Sequence, residues 1–312
     1  MADGWGPSPI STPTNILLSR QYPPVRCFSK AGSQLRGANL KSQNLQRADL
    51  TRADLRGANL EHSLLIDAHL ADTNLNGAFL NYADLTAASL RRASLLGAVL
   101  MSANLEQARL CQAKLAGANL TEANLDGANL TEADLRYTLL RRASLVMGIL
   151  NQVQMQHVQA NGAELYGIEG HDTNWEAAQL EKCDFRHAKL SQANFGHANL
   201  KLANLNAATL TDVNAVGVIL EKANLSSACL QRTKLVAANL AGATMLRTTL
   251  IDTELAGANL QHATLDHATL RRCGLQDIIW SQVSVRGTHF AQVRGISEQT
   301  KAWLQLQGAV IS

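Results

Sequence analysis

Leucine, or a close substitute, stands at every fifth position from Leu35 to Phe290, and no insertion or deletion breaks the count. Arg47-Ala48-Asp49-Leu50, Arg52-Ala53-Asp54-Leu55 and Gly57-Ala58-Asn59-Leu60 show the unit: a small residue, Asn or Asp, leucine, then two variable positions. A period of five fits neither the 3.6 of a helix nor the 2.0 of a flat strand. Two inward and three outward residues per five therefore predict a chain that turns a corner once per unit. Four corners close a square, so about twenty residues make a coil, and coils stack at about the 4.8 Å strand spacing. Residues 35–290 then give about thirteen coils and a rod of about 60 Å.

The central leucines sort into four columns, one per side of the square. Side one runs from Leu35 through Leu95, Met155, Trp175, Phe195 and Ala215 to Leu275; side two from Leu40 through Ala160 to Trp280. Side three runs from Leu45 to Val285, and side four from Leu50 through Gly170 to Phe290. Where a centre shrinks, the small position two residues earlier grows: Val158 before Ala160, Ile168 before Gly170, Val213 before Ala215. Interiors resist voids, so these swaps keep the coil filled and the irregular stretch 151–175 is expected to continue the rod.

This pattern resembles the pentapeptide-repeat family, over about four fifths of the chain. The resemblance implies an all-β, right-handed quadrilateral β-helix. The expected organisation is 1–30 as an irregular N-terminal cap, 31–292 as the β-helix and 293–312 as a C-terminal capping helix. Within the first region, which holds all five prolines, 1–13 reads as disordered and Asn15 to Phe28 as a cover for the first coil. Open β-stacks need capped ends. Ser297 is the expected helix N-cap, Gly308 the stop, and Ala302, Trp303, Leu306 and Val310 the face laid on the last coil. Gyrase-protecting members of the family dimerise through a C-terminal segment, so the resemblance allows a homodimer.

Composition narrows the chemistry. A net charge of +3 over 312 residues lacks the basic stripe of a nucleic-acid binder, and 4% aromatics suit a thin Leu/Ala interior. No charged region followed by an apolar run opens the chain, and no apolar run reaches the roughly 20 residues of a membrane span. A cytoplasmic protein is expected. Cys27, Cys111, Cys183, Cys229 and Cys273 show no paired spacing and read as reduced thiols. The nine histidines do not stack on one another in the coil register; His157 and His197 are two coils apart, about 10 Å, too far to share a metal. The Asn and Asp before the centres (Asn39, Asp49, Asp54, Asn59, Asn119, Asn259) read as turn scaffolding. Arg91-Arg92, Arg141-Arg142 and Arg271-Arg272 read as solvated corners. No catalytic, cofactor or metal site is expected, and no enzyme activity.

One surface feature stands out. The position before the centre is apolar at Phe79, Val99, Leu139, Ile219 and Ile279, all on side two. The corner entering that side carries Gly37, Gly57, Gly77, Gly97 and Gly117, then Gly217 and Gly257, where glycine is expected to allow close backbone approach. Phe79, Tyr82, Leu96, Val99 and Met101 are expected to form one exposed apolar patch, with Leu139 on the same side. Val216, Ile219 and Val236 form a second. Exposed contiguous apolar patches mark partner sites. The leading expectation is a non-catalytic protein-interaction scaffold that looks like the many cyanobacterial members of the family. One alternative is a DNA-mimic, gyrase-binding protein, which needs a strongly acidic face. The other is a nucleic-acid-binding rod.

Overall fold

The computed structural model describes residues 30–312, and in it the five-residue count becomes a ladder. The disordered stretch expected at 1–13 and the cap expected at Asn15–Phe28 lie outside the described residues. Gln34 lies beside Asp54, Asp54 beside Asn74, and this parallel pairing at a spacing of twenty continues to Gly274 beside Arg294. Each twenty-residue span contains four turns, so the coil is a quadrilateral. Residues 151–175 keep the register, with Gln154 beside Asn174 and Gln159 beside Gln179.

Each corner is a turn closed by the amide of the small residue on the carbonyl of the preceding centre, as in Ala98 N to Leu95 O at 3.0 Å. The second residue after each centre has positive φ at every corner from Gly32 to Gln292. A positive φ confined to the third turn residue defines a type II turn. Forty of these residues are not glycine, although a left-handed L-residue costs roughly 1–2 kcal/mol. None of the forty is Val, Ile or Thr, whose branched Cβ is least compatible with positive φ. One position earlier those same types are accepted, at Thr51, Ile66, Val146 and Ile251.

Residues 95–99 show why the strain is borne, because all five of their amides are satisfied. Leu95 N donates to Lys114 O (2.7 Å), Gly97 N to Ala116 O (3.2 Å), Ala98 N to Leu95 O (3.0 Å) and Val99 N to Ala78 O (2.9 Å). The remaining amide, Leu96 N, donates to the Asn76 side chain one coil earlier (2.9 Å). Buried or strained backbone persists where its polar groups are all paired.

Centres and small residues fill a dry shaft: Leu95, Leu115, Ala98 and Ala118 are fully buried. Hydroxyls that replace the small alanine find a repeated partner. Thr73, Thr138, Thr233, Thr248, Thr253 and Thr288 each donate to the carbonyl of a centre twenty-three residues earlier. Cys183 and Cys273 occupy the same slot, with their thiols against Ala160 O and Leu250 O. The Trp175 indole donates to Thr173 Oγ1 (2.8 Å), which itself donates to Gly170 O, and stacks on Phe195 at 5.8 Å. Volume compensation is incomplete at Ala215, where an apolar void of about 20 Å³ lies among Phe195, Leu210, Val213 and Leu220.

Near the C-terminus side four lengthens into three-residue parallel strands: β1 (Cys229–Gln231), β2 (Thr249–Ile251), β3 (Thr269–Arg271) and β4 (His289–Ala291). Helix α1 (Glu298–Leu306) follows, with the Ser297 hydroxyl accepting from Thr300 N at 3.1 Å. Its buried face differs from the expected one. Leu304 is fully buried and Trp303 is partly buried against the core, while Ala302 and Val310 are exposed and Leu306 is 84% exposed. The reason is that Gly308, at φ +89°, ends the helix and sends the chain back as β5 (Val310–Ile311), paired with β4. Val310 belongs to that strand and no longer follows helical spacing. The open edge of the last coil is thus covered by both a strand and a helix.

Candidate interaction face

Two adjacent coils build the first apolar patch. Phe79 and Val99 are bridge partners on side two, and Val99 N donates to Ala78 O beneath. Leu96 sits at the entering corner, above Gly77, whose amide donates to Leu96 O (3.0 Å). Tyr82 and Met101 share the exit corner, where Tyr82 N donates to Met101 O (3.0 Å). Phe79 is 45% exposed and Tyr82 57%, and Leu96 and Met101 are also exposed. Val99 is only half-buried, because it is walled in by Phe79 on one coil and Asn119 on the next. Tyr82 stacks on His62 at 4.9 Å, which fixes the ring over the preceding coil.

The other expected residues are more scattered. Leu139 is half-buried and separated from Val99 by Asn119. Val216 and Val236 occupy successive corners, joined by the Gly217 N to Val236 O bond (2.9 Å), and both are half-buried. Ile219 is exposed between Asn199 and Asn239. The glycines of the entering corner have positive φ, and a side chain added at Gly57, Gly77, Gly97 or Gly117 would meet nothing within 4 Å. Their role is conformational. At Gly217 of the same corner column, by contrast, the His197 imidazole of the preceding coil lies close above.

Side two differs from the others in charge. Its bridge positions run Asn39, Asn59, Phe79, Val99, Asn119, Leu139, Gln159, Gln179, Asn199, Ile219, Asn239, Asn259, Ile279, without one charged residue. Side one at the same position has Asp54, Lys114, Asp134, Lys234 and Glu254; sides three and four carry Asp84, Glu164, Asp184, Asp49, Arg109, Glu169 and Lys189. The asparagines are oriented by the backbone: Asn59 Oδ1 accepts from Glu61 N (3.0 Å), Asn119 Oδ1 from Thr121 N (3.1 Å) and Asn259 Oδ1 from Gln261 N (3.0 Å). Val99 and Ser94 cannot supply this cap. Asn81 and Asn76 of the preceding coil do so instead, at Met101 N and Leu96 N.

Elsewhere, part of the charge is neutralised between coils. Arg92 forms a two-pronged pair with Asp72, Arg232 with Asp212 and Arg272 with Asp252. Hydrogen bonding to arginine holds Asp72, Asp212 and Asp252 below the ordinary carboxylate range. Arg142 faces Glu122 at 3.4 Å, so each of the three arginine pairs has one member in an ion pair. Burial pushes the Cys183 thiol up to about 12 and the Cys273 thiol to about 11. Among the described residues no three His, Cys, Asp or Glu side chains are grouped to hold a metal ion, and no helix is long and apolar enough to cross a membrane.

One exposed cluster was missed in the sequence. At the corner between sides three and four, Met147 lies over Gly167, with Val146 and Tyr166 alongside and Arg186 stacked 5.5 Å from the Tyr166 ring. Placing these residues in the twenty-residue register by corner as well as by side would have found it.

Comparison with known proteins agrees with this architecture. Eight copies of the family described as Pentapeptide repeats match, spread over residues 33–142 and 171–272. HetL, a pentapeptide repeat protein involved in heterocyst differentiation regulation from the cyanobacterium Nostoc sp. strain PCC 7120, is 31% identical. That match covers 68% of this chain and 90% of HetL, with a TM-score of 0.42. Trypsin-treated QnrB1, a plasmid-mediated fluoroquinolone resistance protein, is 17% identical over 68% of this chain and 97% of its own, with a TM-score of 0.50. No curated protein sequence gives a significant match.

Proposed function

This chain belongs to the pentapeptide-repeat family, and on that premise we propose that it is a non-catalytic interaction rod that docks a protein partner through side two. The observation that carries the reading is the Phe79–Val99 rung, flanked by Leu96, Tyr82 and Met101, on the side without bridge-position charge. The partner surface it suits is apolar and offers hydrogen-bond acceptors. Asn59 and Asn119 have committed their oxygens to the backbone, leaving their Nδ2 groups as donors. Burying a charge against such a surface would be costly, so the absence of charge favours a dry contact.

The non-catalytic part of the reading is supported by how the outer polar groups are employed. Asn and Asp cap amides, and among the described residues seven arginines are paired with aspartates. DNA mimicry asks for a run of unneutralised carboxylates, and those ion pairs weigh against it. The test is a Phe79→Asp/Val99→Asp variant, both sites outward, compared with the unaltered protein in affinity purification from its source cells. Circular dichroism and melting should match, and the specifically retained partner should be lost. Retention of the same partner by the folded double variant would refute docking through side two.

A further inference from the structure

We propose that the groove where side four turns into side one is a binding site for a phosphate group. The groove has a volume of about 610 Å³, and its floor is a column of three successive rungs, His69, Ser89 and Arg109. Arg91 stands at the corner two residues beyond Ser89, so two arginines from adjacent coils and one serine line the same groove.

These two arginines lack an internal partner. Among the described residues Arg36, Arg52, Arg247, Arg271 and Arg286 likewise lack a side-chain partner, but only Arg91 and Arg109 line this groove together. Arg92, Arg232 and Arg272, at the same corner, are each held by an aspartate one coil earlier, at 2.6–2.7 Å. Among the described residues, Arg91 and Arg109 make no hydrogen bond through their side chains and no ion pair, and the Ser89 hydroxyl has no partner. The nearby carboxylates are accounted for. Asp72 is close enough to feel Arg91 but is occupied by Arg92, and Glu132, at the other end of the groove, accepts from Gln112 at 2.8 Å.

Two planar forks, a hydroxyl donor and an imidazole arrayed over three coils suit a tetrahedral ion with several acceptor oxygens better than a planar carboxylate with two. The ligand class is therefore a phosphate, either free or carried on a phosphorylated side chain. The site lies on side four and is independent of the docking surface proposed on side two.

The experiment is a titration of the full chain with inorganic phosphate at low, constant ionic strength, read from the arginine Nε–Hε resonances in NMR spectra. Parallel arms use acetate and a phosphoserine peptide. Saturable shifts of Arg91 and Arg109 with phosphate, absent with acetate, are expected. Arg109→Gln should weaken binding about ten-fold, the loss of one charge-assisted pair. Arg271→Gln, at an exposed corner elsewhere, should bind as the unaltered protein does. Tighter binding of the phosphopeptide than of phosphate would assign the site to a phosphorylated partner, and equal or weaker binding to the free ion. Non-saturating shifts, equal shifts with acetate, or unchanged affinity in a folded Arg91→Gln/Arg109→Gln variant would overturn the proposal.

Discussion

The imidazole of His197 lies over Gly217 so closely that a Cβ placed on that glycine would stand 2.7 Å from Nδ1. His267 over Gly287 and Met147 over Gly167 repeat the arrangement. Elsewhere in the same slot two rings stack instead, as His62 does with Tyr82 and Tyr137 with His157. At these corners a large side chain leans toward the next coil, which offers either a ring or a glycine.

Gly97→Ala, where an added methyl meets nothing, should cost about 1 kcal/mol from positive φ alone. Gly217→Ala should cost more, because His197 must also be displaced. Placing both glycine substitutions in a His197→Ala background should bring their denaturation midpoints together. A gap that persists there would show that the imidazole is not the cause.

The corner rule makes a second prediction at exposed positions. Ala237 has φ +54°, and Ala237→Val should lower stability although its side chain is exposed, because a branched Cβ fits positive φ less well than a methyl. Ala256→Val, at the preceding corner position where Val216 and Val236 already occur, should be close to neutral. Urea unfolding of the two variants checks the ordering.

Acid should loosen the ladder of ion pairs. Asp72, Asp212 and Asp252 are held below their ordinary range chiefly by hydrogen bonds from Arg92, Arg232 and Arg272. A depressed folded value means the contribution is complete above the unfolded carboxylate pKa, about 3.9, and is lost as pH falls below it. The carboxylate contribution to melting temperature should therefore be flat above about pH 5 and decline below about pH 4. In an Arg92→Gln/Arg232→Gln/Arg272→Gln variant that decline should be shallower.

Thiol reactivity should divide by slot. In a Cys27→Ser background at pH 8, a thiol reagent should modify the half-buried Cys111 and Cys229 in the native protein. Cys183 and Cys273 are buried, with thiols pushed up to about 12 and about 11, and should react only after unfolding. Fast native labelling of Cys183 would contradict the dry shaft.

The inside and outside of the solenoid were legible because an apolar residue stands at every fifth position, and the twenty-residue register followed from the four-sided coil that the resemblance to pentapeptide-repeat proteins implies. The left-handed backbone was not read, since Arg47, His62 and Asp72 do not look like residues of positive φ. A signal did exist: Val, Ile and Thr are missing from that slot yet accepted one residue before it. Capping by Asn59 and Asn119 was readable because the side chain acts on its own turn. Capping by Asn76 and Asn81 was not, because it crosses coils. The face of α1 was misassigned to Leu306 because helical spacing was carried past Gly308 into β5. On side two, Phe79, Val99 and Asn119 fall in one column by counting in twenties, whereas the half-burial of Val99 between its two neighbours needed the coordinates.

The unbroken spacing from Gln34 to Arg294 has a consequence for how such a chain can change length. Losing one five-residue unit between Leu139 and Ile219 would leave leucines still stacked on leucines and the shaft still full. It would, however, swing everything beyond the cut through a quarter turn, parting Ile219 and Val216 from the wall they share with Phe79. Only excisions of a whole coil preserve the alignment of the two apolar zones, so the outer wall, more than the interior, forbids small deletions.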